Sequence, residues 1–183
     1  MQRRASQGLS HVLSKIGIFA PRRRIAFYYA NDGEIDPEAA MNLARRFAVR
    51  CFLPVIPRPA WRTLRFAEVI NGNALVSNRF GIMEPAVHAR SLRRAIELDV
   101  VLVPLVAFDS RGNRIGMGSG FYDSTLAIRA AGKHFRKPAV IGLAHECQRL
   151  DHLSVDPWDI PLDFVATDKH LYRFESSQTD SQD

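Results

Sequence analysis

Apolar residues recur along the chain in two spacings. Between Ala5 and Ile16 they fall at Leu9, Val12, Leu13 and Ile16, a helical stripe. Ile25–Ala30 (IAFYYA) is a compact apolar run of strand length, followed by the turn-like Asn31-Asp32-Gly33. Asp36-Pro37 then reads as a helix start, with Asp36 as N-cap and Pro37 at the first position, running to about Arg50. Cys51–Ile56 (CFLPVI) predicts the next strand, and the alternation over Thr63–Val69 an edge strand. His88–Leu98 is helical in pattern and leads into Asp99–Phe108 (DVVLVPLVAF), the most apolar strand candidate. Ser119–Ala131 predicts a further helix, and Pro138–Ala144 (PAVIGLA) a buried strand. Phe164–Thr167 is a last strand, with Leu171–Phe174 as its candidate continuation. Short buried strands alternating with helices argue for a largely parallel sheet covered on both faces. Ligands of such sheets sit beyond the carboxyl ends of the strands.

Composition narrows the class. The chain has 183 residues, 46% hydrophobic and 24% charged, enough for one domain with a real core. Disorder and collagen-like repeats are excluded, and no window holds eighteen uninterrupted apolar residues. Cys51 and Cys147 are isolated, without the spacing of a zinc ribbon, and no apolar h-region follows Arg3 and Arg4. A cytoplasmic protein is expected, with a single α/β domain over residues 1–174 and a disordered acidic and polar tail over 175–183. Its formal charge of +6 is concentrated before residue 32, where Arg3, Arg4, Lys15, Arg22, Arg23 and Arg24 meet no acid. That balance suits phosphorylated small molecules as well as nucleic acid. No basic patch interleaved with aromatics is present, so no nucleic-acid partner and no membrane partner is expected.

The chemistry concentrates in Asp109–Asp123 (DSRGNRIGMGSGFYD), between the most apolar strand and a helix. Gly112, Gly116, Gly118 and Gly120 let consecutive N–H groups converge on an anion, and the following helix presents its positive end. Arg114 offers a bidentate cation, and Asp123 a hard oxygen ligand for magnesium. The segment is not a Walker A loop, because no GK[ST] is present, and GMGSGF lacks the third glycine of a dinucleotide fingerprint. A glycine turn serving only packing is the competing reading, and the spacing favours phosphate. The six histidines lack metal-ligand spacing, and Cys147 has no base nearby in sequence.

VLVPLVAFDSRGNRIGMGSGFYD resembles the signature of the 5-formyltetrahydrofolate cyclo-ligase (methenyltetrahydrofolate synthetase) family. IAFYYANDGEID, CFLPVI, FGIMEP and IGLAHECQRLDHLSVDPWDIPLDFVATD extend the resemblance in the family's order, from about residue 25 to residue 168. It implies a three-layer α/β/α domain with a mostly parallel, Rossmann-like sheet, similar to the NagB/RpiA/CoA-transferase-like fold. It further implies a ligase, expected as a monomer, that uses ATP and Mg2+ to phosphorylate the formyl oxygen of 5-formyltetrahydrofolate and close the ring to 5,10-methenyltetrahydrofolate. Carried over by position, Arg114, Ile115, Gly116, Met117, Gly118, Ser119, Gly120, Phe121 and Tyr122 would contact ATP, and Arg114, Tyr122 and Asp123 would be catalytic. Asp123 and Asp159 would hold magnesium, and Tyr29, Glu34, Phe80 and Phe121 would line the folate. Taken alone, Glu34 also reads as a solvated turn carboxylate and Asp159 as a turn cap. Phe80 equally reads as a core aromatic, and Tyr122 as packing beneath the loop.

The sequence departs from the family in three places. Relatives generally begin with a longer basic helical segment that reaches the ATP phosphates, and QRRASQGLSHVLSK resembles only its second part. Ser119 stands where relatives often have Gly or Lys, and Ser124 where many bacterial relatives have Arg. Each phosphate-facing cation lost is worth about 1.5–3 kcal/mol. The alternative function is therefore a catalytically impaired folate- or nucleotide-binding relative with a truncated N-terminal ATP segment.

Overall fold

A computed structural model describes residues 2–56, 63–70, 74–129, 137–154, 156 and 158–174. The expected tail over 175–183 lies outside the described residues, as does the end of the Ser119–Ala131 helix from residue 130 onward. Strands β1 (Arg24–Ala26), β2 (Arg50–Val55), β3 (Arg65–Glu68), β6 (Val100–Pro104), β9 (Ala139–Ala144), β10 (Phe164–Thr167) and β11 (Leu171–Arg173) form one sheet. Its order is β11-β10-β9-β6-β1-β2-β3. The five inner strands run parallel, and β3 and β11 close the two edges antiparallel. Leu171–Arg173 is thus a hairpin partner of β10 and not its continuation.

Both faces are buried, and strand alternation divides the core in two. Val100, Leu102, Ile141 and Leu143 face one side, packed by helices α1 (Gln2–Lys15) and α2 (Glu38–Arg46). The expected stripe of α1 is there, with Leu9, Val12 and Leu13 buried beside Ala40, Met41 and Ala44 of α2. At Gly8, α1 approaches the chain so closely that a Cβ would stand 2.3 Å from the carbonyl oxygen of Asp168. Val101, Val103, Val140 and Val165 face the other side. There the cover is one short helix, α3 (Phe121–Leu126), through Leu126, together with irregular chain carrying Leu98, Ile160 and Leu162. Among the described residues, no helix is long and apolar enough to cross a membrane.

Further expected elements differ: the Ile25–Ala30 strand is assigned only over Arg24–Ala26, and residues 27–30 lead into the loop after it. His88–Leu98 is not a helix: it contains two 3-10 turns, at Ala89–Ser91 and Ala95–Glu97, separated by extended residues. Backbone pairing of Arg93 with Phe66 of β3, at 2.8 and 2.9 Å, covers the sheet edge and overrides the helical spacing. Helix α2 stops at Arg46, because Ala48 turns into the left-handed region (φ 56°) and delivers Arg50 to its pairing with Arg24. Asp99–Phe108 splits after Pro104, and the chain re-enters as β7 (Ala107–Phe108), paired with β8 (Arg114–Ile115). The Ser119–Ala131 helix begins only at Phe121 and passes into a 3-10 turn at Ala127. A hairpin not foreseen, β4 (Leu75–Ser77) with β5 (Met83–Pro85), forms an arm outside the sheet.

The strand order reverses between β1 and β6. The chain leaves β1 toward β2 and later returns to the opposite side of β1 through β6. The loops after β1 and β6 therefore flank a crevice at the carboxyl edge, where this architecture takes ligands.

Candidate active site at the strand switch point

The loop after β1 is a tight, self-bonded turn. Asp32 (φ 46°) and Gly33 (φ 82°) are left-handed, and the Glu34 N–H donates to the Asn31 carbonyl at 3.0 Å. Glu34 Oε2 in turn accepts the Asn31 N–H at 3.0 Å. The Glu34 carbonyl accepts Gln2 Nε2 at 2.6 Å, which ties the start of α1 to the turn. Below it, the buried Tyr28 hydroxyl donates to the Ile35 carbonyl at 2.9 Å. Burial pushes the Glu34 carboxyl above its ordinary value, and Asp32 adds to this against the opposing Asn31 N–H. Tyr28 and Tyr122 are raised as well, by burial first and then by the Glu34 carboxylate. Tyr29, next along the loop, is half-buried.

The glycine segment has two unlike halves. Residues 109–113 form the tip of the β7–β8 hairpin around Asp109, which is wholly buried. Its Oδ1 accepts the N–H groups of Arg111 (2.9 Å) and Asn113 (3.1 Å), and its Oδ2 accepts Asn113 Nδ2 (2.9 Å) and the Leu153 N–H (3.1 Å). Burial works to raise this carboxyl, but those four donors outweigh it and hold the group below its ordinary value. Gly112 belongs to this half: a Cβ there would stand 2.7 Å from the Phe174 ring, so this glycine serves packing and not an anion. D-x-x-G is a recognisable turn signature, and it was the available sign that Asp109 organises the loop.

Residues 116–120 form the other half and are exposed. Nothing lies within 4 Å of where a Cβ would stand on Gly116, Gly118 or Gly120, and Gly118 (φ 82°) and Gly120 (φ 61°) are left-handed. Among the described residues, no acceptor partners the N–H groups of Gly116 to Gly120. Ile115 and Met117 flank this open loop with exposed side chains, and Ser119 is exposed within it. Since α3 has only six residues, its end adds less positive potential than the expected longer helix, and anion holding falls to the loop's N–H groups.

The charged side chains do not all face outward. Arg114 is buried, its side chain 4% exposed. Its Nη1 donates to the Ile160 carbonyl at 2.9 Å and its Nη2 to Asp123 Oδ1 at 2.7 Å. Asp123 Oδ1 also receives the Ile160 N–H at 3.4 Å, whereas no described residue bonds its Oδ2. Asp159 closes a turn by accepting the Asp156 N–H on Oδ2 at 2.9 Å. Because Ile160 touches Asp123, Asp159 lies one residue from that contact. No group of three His, Cys, Asp or Glu side chains that could cage a metal occurs among the described residues. Magnesium fits this donor set as it commonly sits beside nucleotides, on one or two carboxylates plus phosphate oxygens.

The arm completes one wall. Asn78 shapes its tip, its Oδ1 accepting the N–H groups of Phe80 (2.9 Å) and Ile82 (3.1 Å). This presents Phe80, 50% exposed, edge-on to Phe121 with ring centroids 6.2 Å apart. Arg79 lies over the Phe80 ring at 5.0 Å. Phe80 is thus a surface aromatic meeting the glycine segment, and the core reading does not hold.

A profile of the 5-formyltetrahydrofolate cyclo-ligase family matches residues 1–168. The chain is 37% identical over 150 residues to the 5-formyltetrahydrofolate cyclo-ligase of Escherichia coli strain K12, covering 82% of this chain and 80% of that one. It is 37% identical over 140 residues to the protein of the same name from Haemophilus influenzae, covering 76% and 73%. The NMR structure of Aquifex aeolicus 5,10-methenyltetrahydrofolate synthetase superposes with a TM-score of 0.77 at 27% identity, covering 99% of this chain and 87% of that one.

Proposed function

The chain belongs to the 5-formyltetrahydrofolate cyclo-ligase family, whose members are ligases, and on that premise we propose that it converts 5-formyltetrahydrofolate to 5,10-methenyltetrahydrofolate with ATP, releasing ADP and phosphate. The formyl group is amide-like, and its oxygen leaves poorly. Transfer of the γ-phosphoryl group to that oxygen yields ADP and an imidate-like phosphate. The nitrogen at position 10 then attacks the activated carbon and loses its proton, and phosphate departs with the former formyl oxygen. The protein's share of such chemistry is positioning and charge stabilisation.

The observation that carries this reading is the run of N–H groups over residues 116–120 that no acceptor among the described residues partners, close in sequence to the Asp123 carboxylate. Gly116, Gly118 and Gly120 let the phosphates approach the backbone. Asp123 through Oδ2 and Asp159 through Oδ1 are the oxygens to hold magnesium, which would neutralise phosphate charge. Glu34 accepts the paired N–H donors of the pterin ring. Tyr29, Phe80 and Phe121 supply apolar and aromatic walls for the folate.

The test is a spectrophotometric assay of the purified chain with 5-formyltetrahydrofolate, Mg2+ and ATP, following the methenyl chromophore. ATP-dependent product that vanishes in Asp123→Asn is expected. A folded protein that binds both ligands without forming product would replace this reading with that of a binding protein.

A further inference from the structure

An arginine in a glycine-rich loop invites the reading of a phosphate ligand, and the geometry around Arg114 argues otherwise. Its guanidinium is withdrawn from the exposed loop that follows it, with both η nitrogens already engaged on Asp123 and Ile160. The three groups close a ring, since the Ile160 N–H also reaches the same Asp123 oxygen. Arg114 thereby joins α3, which carries Asp123, to the chain 37 residues later that carries Asp159. A second tie runs parallel to it, from the buried Asp109 to the Leu153 N–H, and fixes the other end of that chain segment against the hairpin tip. With each η nitrogen already committed to a protein acceptor and the side chain 4% exposed, this guanidinium faces the protein interior more than a nucleotide. What it controls is where Asp123 points: it occupies Oδ1, while no described residue bonds Oδ2.

We propose that Arg114 is a positioning residue, which sets Asp123 and the Asp159 segment at a fixed separation, and that it does not itself hold phosphate. The proposal rests on the reading of Asp123 as a magnesium-side carboxylate. Residues that orient a metal ligand typically change metal affinity or activity by about 10–100-fold when replaced.

The experiment compares Arg114→Lys, Asp123→Asn and the double variant. Binding of a non-hydrolysable ATP analogue is measured in EDTA and in Mg2+, alongside kcat/KM for ATP. In Arg114→Lys, metal-free binding stays within about twofold, while the Mg2+-dependent gain in affinity falls about 10–100-fold. The double variant is no slower than Asp123→Asn, because two residues acting as one unit are not additive. Multiplied losses in the double variant, or an equal fall in metal-free and Mg2+-bound affinity, overturn the proposal and make Arg114 a direct phosphate ligand. Full turnover and an intact Mg2+ gain in Asp123→Asn would instead remove the reading of Asp123 itself. If Arg114→Lys does not fold, Arg114→Gln, which keeps a donor for the Ile160 carbonyl, carries the same comparison.

Discussion

Glu34 is half-buried, and its carboxyl is raised mainly by that burial. If its carboxylate receives the pterin N–H donors, kcat/KM for the folate should fall as pH drops through a value above the ordinary range of about 4.3–4.5. Glu34→Gln should erase that acid limb and raise the folate KM at least about tenfold, leaving the ATP KM unchanged. A Gln variant that weakens both ligands equally would sink the assignment. A raised folded pKa also means that Glu34 favours the fold only when protonated, an advantage lost as pH rises through that pKa. The substitution therefore costs no stability at neutral pH. The turn around Glu34 was legible from Asn31-Asp32-Gly33, but its chemical role came only through the family resemblance. Asp159 was not resolvable from sequence, since one carboxylate has oxygens for both a turn and a metal. Nor was the burial of Arg114, which depends on Ile160, 46 residues away.

Among the elements, the glycines separate packing from chemistry. Gly8→Ala would place a Cβ against the rigid Asp168 carbonyl and force α1 off its seat, costing about 1–3 kcal/mol of stability. Gly116→Ala meets nothing within 4 Å, so it should leave the melting temperature unchanged while weakening ATP binding. Equal thermal losses in the two variants, by calorimetry, would contradict this division. The inner strands were legible because both of their faces are apolar, and apolar runs such as DVVLVPLVAF and PAVIGLA carry no other message. The β4–β5 arm escaped notice because Leu75, Val76 and Ser77 are all exposed and write no burial pattern. His88–Leu98 misled because its helical spacing was overruled by a backbone partner, Phe66, more than twenty residues earlier.

At the scale of the whole molecule, several carboxylates staple distant strands and lie below their ordinary pKa. Asp109 and Asp99 do so against burial, through the donors around Asp109 and through Arg24 and Lys137 at Asp99, while Arg50 holds Glu68 down directly. Such groups contribute stability that is present above the unfolded pKa and lost as pH falls through the folded one. The urea midpoint should therefore decline below about pH 4, and Asp109→Asn should flatten part of that decline. A midpoint that is level or rising toward acid would refute the assignment. The seat of α1 against Asp168 has a further consequence, for synthesis. On the ribosome, α1 emerges long before Asp168, and it cannot take its seat there until the strand ending at Thr167 has been made. Until then the stripe of Leu9, Val12 and Leu13 has only α2, made soon after it, to pack against, and the seat on the sheet is completed late in synthesis.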